Sequence, residues 1–176
     1  MDHVKNAIRA VVDFPKPGIV FRDITPVLAD PQLLREVVEA LAAPYRDQGV
    51  ALVVGTEARG FILGPPVALA LGAGFIPVRK KGKLPADTYE ITYDLEYGTD
   101  TLEMHRDAIH PGTRVLMVDD LLATGGTMDA CCQMVEAAGG EIVACAFLVE
   151  LSFLGGRARL APHDVLALVD FASEDE

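Results

Sequence analysis

Val115-Leu116-Met117-Val118-Asp119-Asp120-Leu121-Leu122-Ala123-Thr124-Gly125-Gly126-Thr127 decides how the rest of the chain is read. A short apolar run reads as a buried strand, two carboxylates end it, and a loop of small and hydroxylated residues follows. Met128, Cys131, Cys132, Val135 and Ala138 then supply the apolar face of a helix that stops at Gly139-Gly140. Strand, loop and helix in that order put the loop at the carboxyl end of a strand, where open α/β sheets hold their ligands. Gly125 and Gly126 let backbone N–H groups converge, Thr124 and Thr127 offer hydroxyls, and the helix N-terminus adds partial positive charge. Together they form a phosphate cradle. The helix end contributes only about 0.3–2 kcal/mol, so several donors must act together. Asp119 and Asp120 would repel phosphate. They suit sugar hydroxyls or a hydrated Mg²⁺, unless they cap the strand end or the next helix.

The same alternation extends in both directions. Asp30-Pro31 starts a helix, with the carboxylate as N-cap, and Leu34, Val37, Val38 and Leu41 give it an apolar face until Pro44. Ala51 to Val54, Phe75 to Val78, Ile142 to Val149 and Val165 to Val169 read as further buried strands. Tyr89, Ile91, Tyr93, Leu95 and Tyr97 alternate with mostly polar residues as a half-exposed strand, for which Thr101 to His105 is a partner. Strands alternating with helices predict an α/β fold, a mainly parallel central sheet flanked by helices. No repeat or linker divides residues 1–176, so one domain is expected. The acidic end, Glu174-Asp175-Glu176, is expected to fray.

Composition narrows the function. Over 176 residues, 26 acidic and 15 basic side chains give a net charge of -11, which disfavours nucleic acid or anionic membrane as a partner. Three cysteines, two of them adjacent at Cys131 and Cys132, suggest reduced thiols and a cytoplasmic location rather than a disulfide framework. Met1 to Asn6 begins no signal peptide. Gly60 to Val78 is uncharged over 19 residues, yet its glycines and prolines divide it into a short helix, a turn and a strand rather than a membrane span. Gly55-Thr56-Glu57-Ala58-Arg59-Gly60 has P-loop glycine spacing, but Phe61 and Ile62 replace the required Lys and Ser/Thr.

The Val115–Thr127 segment resembles the ribose-phosphate signature of the type I phosphoribosyltransferases. Three more segments, Phe14 to Ile24, Glu57 to Phe61, and Arg79 to Pro85 followed by Leu95 to Gly98, resemble the members of that family that use adenine. The resemblance implies a phosphoribosyltransferase fold with a hood or base-binding segment at about 1–30 and a flexible loop at about 80–98. It also implies a residue-by-residue site. Ala123, Thr124, Gly125, Gly126 and Thr127 would bind a 5'-phosphate, and Asp119 and Asp120 the ribose hydroxyls with Mg²⁺. Glu57, Ala58 and Arg59 would bind pyrophosphate at a non-proline cis peptide, aided by Arg79, Lys80, Lys83 and His105. Val20, Phe21, Arg22 and Leu121 would hold adenine, the ring of Phe21 on one face and Leu121 on the other. Glu96 and Tyr97 would act at the reacting centre.

The reaction implied by the resemblance is attack of adenine N9 on the anomeric carbon of 5-phosphoribosyl diphosphate, giving AMP and pyrophosphate. Mg²⁺ would arrive with the substrate, without direct protein ligands, and the enzyme would be a homodimer. Outside the resemblance, Phe21 also reads as core, Arg59 as a surface ion pair, Glu96 as a solvated residue, His105 as structural, and Arg79 to Lys83 as a solvated basic loop. Family members that use 6-oxopurines carry an acid where Ala123 stands, which separates this chain from a phosphoribosyltransferase for another purine. A related regulator that binds nucleic acid without turnover is opposed by the charge of -11 and by Arg59 with Glu96-Tyr97.

Overall fold

Apolar runs separated by helices build the centre of the molecule, described here from a computed structural model over residues 1–94 and 98–174. Helix α1 (Asp2–Ala7) leads into strands β1 (Arg9–Val12) and β2 (Val20–Asp23), an antiparallel pair forming a sheet of its own. Helices α2 (Thr25–Ala29) and α3 (Pro31–Ala42) follow. The Asp30 carboxylate caps α3 as its sequence predicts, accepting from the backbone N–H groups of Gln32 and Leu33 at 2.8 and 3.1 Å. The chain continues through β3 (Leu52–Thr56), α4 (Gly60–Leu71), β4 (Gly74–Lys80), β5 (Thr88–Asp94) and β6 (Thr99–His105). It closes with β7 (Arg114–Leu122), α5 (Gly126–Ala137), β8 (Glu141–Leu151), α6 (Gly156–Arg159) and β9 (Val165–Phe171).

Seven strands form the main sheet in the order β5-β6-β4-β3-β7-β8-β9. From β4 to β9 the neighbours are parallel; β6 runs antiparallel to both β4 and β5. The expected mainly parallel sheet is therefore present, with the expected hairpin at one edge. Strand alternation divides the apolar residues between two cores. Leu116 and Val118 of β7 face the side of α3 and α4, and Val115 and Met117 face the side of α5. Burial on both faces is why these strands read as unbroken apolar runs.

Gly60 to Val78 resolves into α4, a turn at Gly72 and β4, and no helix among the described residues is long and apolar enough to cross a membrane. Leu63 and Val67 of α4 are buried against the sheet, while Ile62 and Leu69 face outward at 42% and 82% exposure. All three cysteines are buried free thiols. Burial pushes the Cys131 thiol up, which keeps it protonated. Glu174, expected to fray, has its backbone carbonyl held by Arg22 at 2.9 Å. Glu96, Tyr97, Asp175 and Glu176 lie outside the described residues.

Candidate active site

Strands β3 and β7 pair side by side as far as Gly55 and Val118 and then part. β3 turns into Glu57-Ala58-Arg59 and the start of α4, whereas β7 continues beside β8 as far as Leu122. The sequence places the strand's end at Val118; continued pairing with β8 carries it past both carboxylates. The gap is a cleft of about 510 Å³, with Glu57 to Arg59 on one wall and Asp119 to Met128 on the other, where Phe147 of β8 adds to the lining. Its volume suits a small-molecule ligand, and it lies at the carboxyl ends of the strands.

The far wall contains the glycine loop. Gly125 adopts a left-handed conformation, φ 81°, as the residue before α5, so the chain turns sharply into the helix. The Thr127 hydroxyl donates to the Tyr93 hydroxyl of β5 at 3.3 Å. Behind the loop stands the first residue of α6. A Cβ on Gly156 would lie 2.1 Å from the Ala123 carbonyl oxygen and 3.0 Å from the Gly125 nitrogen, so only glycine fits beneath the cradle.

The carboxylates occupy the middle of the cleft. Asp119 Oδ1 accepts from the Asp120 backbone N–H at 2.9 Å, and a Cβ on Gly60 would come within 2.9 Å of that oxygen. Helix α4 therefore starts flush against Asp119. Asp120 is buried with 6% of its side chain exposed, and Arg59 Nε approaches its Oδ2 to 2.6 Å. The contact is an ion pair without an aligned hydrogen bond. Burial, reinforced by Asp120, holds the Asp119 carboxyl well above the usual range. Burial also raises Asp120, against the pull of the Arg59 guanidinium. Arg59 lies over the Phe21 ring as well, 5.2 Å from its centroid, and Phe14 meets Phe21 edge-on at 5.3 Å. One guanidinium thus joins the β1–β2 sheet to the cleft.

The Glu57–Ala58 peptide is cis. Glu57 Oε1 accepts from the Lys80 backbone N–H at 2.5 Å and lies 3.5 Å from Arg79 Nε. Lys80 Nζ pairs with Asp100 at 3.0 Å. Arg79 and Lys80 thus flank the cleft through Glu57. Lys83 and His105 do not line it. Lys83 is exposed between β4 and β5, and its carbonyl accepts from Arg79 Nη1 at 3.3 Å. His105 ends β6 opposite Thr88, its Nε2 buried without a hydrogen bond.

The Phosphoribosyl transferase domain family model matches residues 24–168. The adenine phosphoribosyltransferase of Solibacter usitatus is 59% identical over 171 residues, 97% of this chain and 99% of that one. This chain belongs to the adenine phosphoribosyltransferases. Among solved members of the family, the Thermoanaerobacter pseudethanolicus enzyme superposes with a TM-score of 0.93 at 50% identity, covering 97% of this chain and 99% of its own. The Saccharomyces cerevisiae enzyme superposes at 0.90 with 39% identity, covering 95% and 97%; its structure holds adenine and an imino-altritol bisphosphate.

Within the family's frame, the fold brings Glu57, Ala58 and Arg59 together with Asp119 to Thr127, including Leu121. It places Phe21 beside them through Arg59. It turns the Arg22 side chain away, 5% exposed and directed at Phe171. Two site neighbours escape the sequence reading. Tyr93 was visible only as one of an alternating set, Tyr89, Ile91 and Tyr93, whose packing side was undecided. Gly156 had no signal, because its requirement comes from a distant loop pressed against it.

Proposed function

We propose that this protein transfers the 5-phosphoribosyl group of 5-phosphoribosyl diphosphate to adenine N9, giving AMP and pyrophosphate, with hypoxanthine and guanine excluded. The observation that carries it is the single cleft in which a glycine loop, two buried carboxylates and Arg59 converge. Ala123 to Thr127 hold the 5'-phosphate through backbone N–H groups and hydroxyls, and Asp119 and Asp120 accept hydrogen bonds from the ribose hydroxyls. Glu57, Ala58 and Arg59 hold the leaving pyrophosphate, with Arg79 and Lys80 beside them. Lys83 and His105, which lie off this cleft, act only after movement of the segment between β4 and β5 or from a partner subunit. Backbone groups of Val20 and Arg22 read the base, Phe21 and Leu121 cover its faces, and Glu96 and Tyr97 close over the reaction.

As the bond from N9 to the anomeric carbon forms, the bond from that carbon to the diphosphate oxygen breaks with its electron pair leaving on pyrophosphate. The imidazole proton of adenine passes to pyrophosphate or solvent, and positive charge gathers transiently on the sugar. Little covalent work falls to the protein, so positioning and electrostatic stabilisation dominate. Mg²⁺ fits this donor set as a substrate-borne ion. It would neutralise diphosphate charge, and the Asp120 carboxylate suits one of its bound waters or a ribose hydroxyl.

Incubation with Mg²⁺, 5-phosphoribosyl diphosphate and separate purines tests the reading. Adenine is consumed, and chelation of Mg²⁺ stops the reaction; turnover of hypoxanthine or guanine without adenine overturns the base assignment. Gly156→Ala drives a methyl group into the phosphate loop. It should weaken 5-phosphoribosyl diphosphate about 5- to 100-fold, the usual effect of overpacking, while the KM for adenine changes little. Equal changes in both KM values would show a general disturbance instead.

The homodimer also belongs to this reading, supported by the outward apolar residues Ile62 and Leu69 of α4. Light scattering at micromolar concentration should give twice the 18.8 kDa chain mass; a monomeric mass removes the dimer.

A further inference from the structure

Strand alternation sends the side chains of Phe21 and Arg22 to opposite sides of β2. Phe21 faces Phe14 and Arg59, toward the cleft. Arg22 faces the end of β9. Its guanidinium lies 4.1 Å from the centroid of the Phe171 ring, and its Nη2 donates to the Glu174 carbonyl at 2.9 Å. Arg22 and Phe171 are both buried, 5% and 3% exposed, so this contact is made with little water present. Lys5 of α1 meets the same ring, its Nζ 4.7 Å from the centroid, and donates to the Asp170 carbonyl at 2.6 Å. Two elements of the first thirty residues, α1 and β2, are therefore gripped by one short segment at the far edge of the main sheet.

We propose that Phe171 and the Glu174 backbone form a clasp that positions the base-binding strand β2 through Arg22, making this segment a determinant of purine affinity. The β1–β2 pair is a two-stranded sheet outside the main one, a unit with little stability of its own, so its pose depends on what it is fastened to. Arg59 supplies one fastening, on the cleft side. The clasp supplies the other, on the side facing away from substrate. A shift of β2 by a fraction of an ångström would displace Phe21 and the backbone groups flanking it while leaving the phosphate loop, on β7 and α5, in place. Phe171 is thus a positioning residue that touches no substrate.

The inference rests on the proposed reading of the site, and its test separates the two. Phe171→Leu keeps an apolar side chain but removes the aromatic face. It should raise the KM for adenine about tenfold, with kcat and the KM for 5-phosphoribosyl diphosphate changed by less than about twofold. Phe171→Tyr, which keeps the face, should restore the adenine KM. Arg22→Lys, which keeps the charge and the backbone groups but loses the planar stack, should reproduce Phe171→Leu and serves if that variant does not fold. Hydrogen exchange provides a readout independent of turnover: amides of residues 20–23 should exchange faster in Phe171→Leu while those of β7 do not. An unchanged adenine KM with unchanged exchange overturns the clasp, as does an equal rise in both KM values with a matching fall in kcat. Wild-type protein that does not turn over adenine overturns the site reading instead, and the exchange measurement still decides the clasp.

Discussion

Arg59→Ala lowers kcat/KM for phosphoribosyl transfer by about 10²–10³-fold, the effect of removing one preorganised donor from a site where charge develops. Among the described residues lining the cleft, Arg59 is the one cation. It faces Asp120 at 2.6 Å before any diphosphate arrives, so its guanidinium is held at the mouth of the cleft. Its side chain is 41% exposed, so the substitution removes little buried surface. Any fall in melting temperature should come from the Asp120 carboxylate losing its counter-charge, and should shrink as pH falls and Asp120 protonates. The acid limb of the pH profile should also move. Arg59 is the largest of the influences that draw the Asp120 carboxyl down against burial, so without it Asp120 protonates at higher pH and activity is lost earlier on acidification. Steady-state kinetics across pH, with thermal unfolding of the same samples, provide both readings. Wild-type kcat/KM in Arg59→Ala would remove Arg59 from the machinery.

Asp119→Asn should stabilise the protein and nearly inactivate it. The Asp119 carboxyl titrates well above its ordinary 3.8 in the folded chain because burial and the neighbouring Asp120 disfavour its charge. A folded pKa above the unfolded one means that the folded state holds the extra proton. The stability associated with that proton is complete below about pH 3.8 and is lost as pH rises through the folded value. Asn is neutral throughout and escapes the loss. Its Oδ1 can still accept from the Asp120 N–H. The variant should therefore melt a few degrees above wild type at pH 7, with the difference vanishing near pH 4. Turnover should fall about 10²-fold or more, because a neutral amide is a weaker partner for ribose hydroxyls under a cationic transition state. A lower melting temperature at neutral pH would refute the burial argument.

Asp119 sits on the segment whose sequence is the most legible, and Arg59 faces it across the cleft. Val115 to Val118 announces a strand by being apolar on both faces, and Gly125-Gly126 announces a loop by lacking side chains. The Asp30 cap and the edge hairpin are equally local and equally readable. Features that resist reading depend on neighbours far along the chain. β7 extends past its carboxylates because β8 pairs with it there, which no property of Asp119 or Asp120 reveals. Arg22 belongs to the base-binding segment in sequence, yet strand alternation turns its side chain to Phe171. Arg79, Lys80, Lys83 and His105 all stand off the cleft lining in space, and only Arg79 and Lys80 reach it, through Glu57. Gly156 reads like any turn glycine until Ala123 is seen against it.

The grip of Asp170 and Glu174 on Lys5 and Arg22 joins positions 165 and 152 residues apart, and this bears on the timing of synthesis. At ribosomal rates the first partners emerge about 8–30 s before the second. During that interval α1 and β2 have no edge of β9 to hold. The part of the molecule translated first therefore waits for the part translated last before it can be fastened.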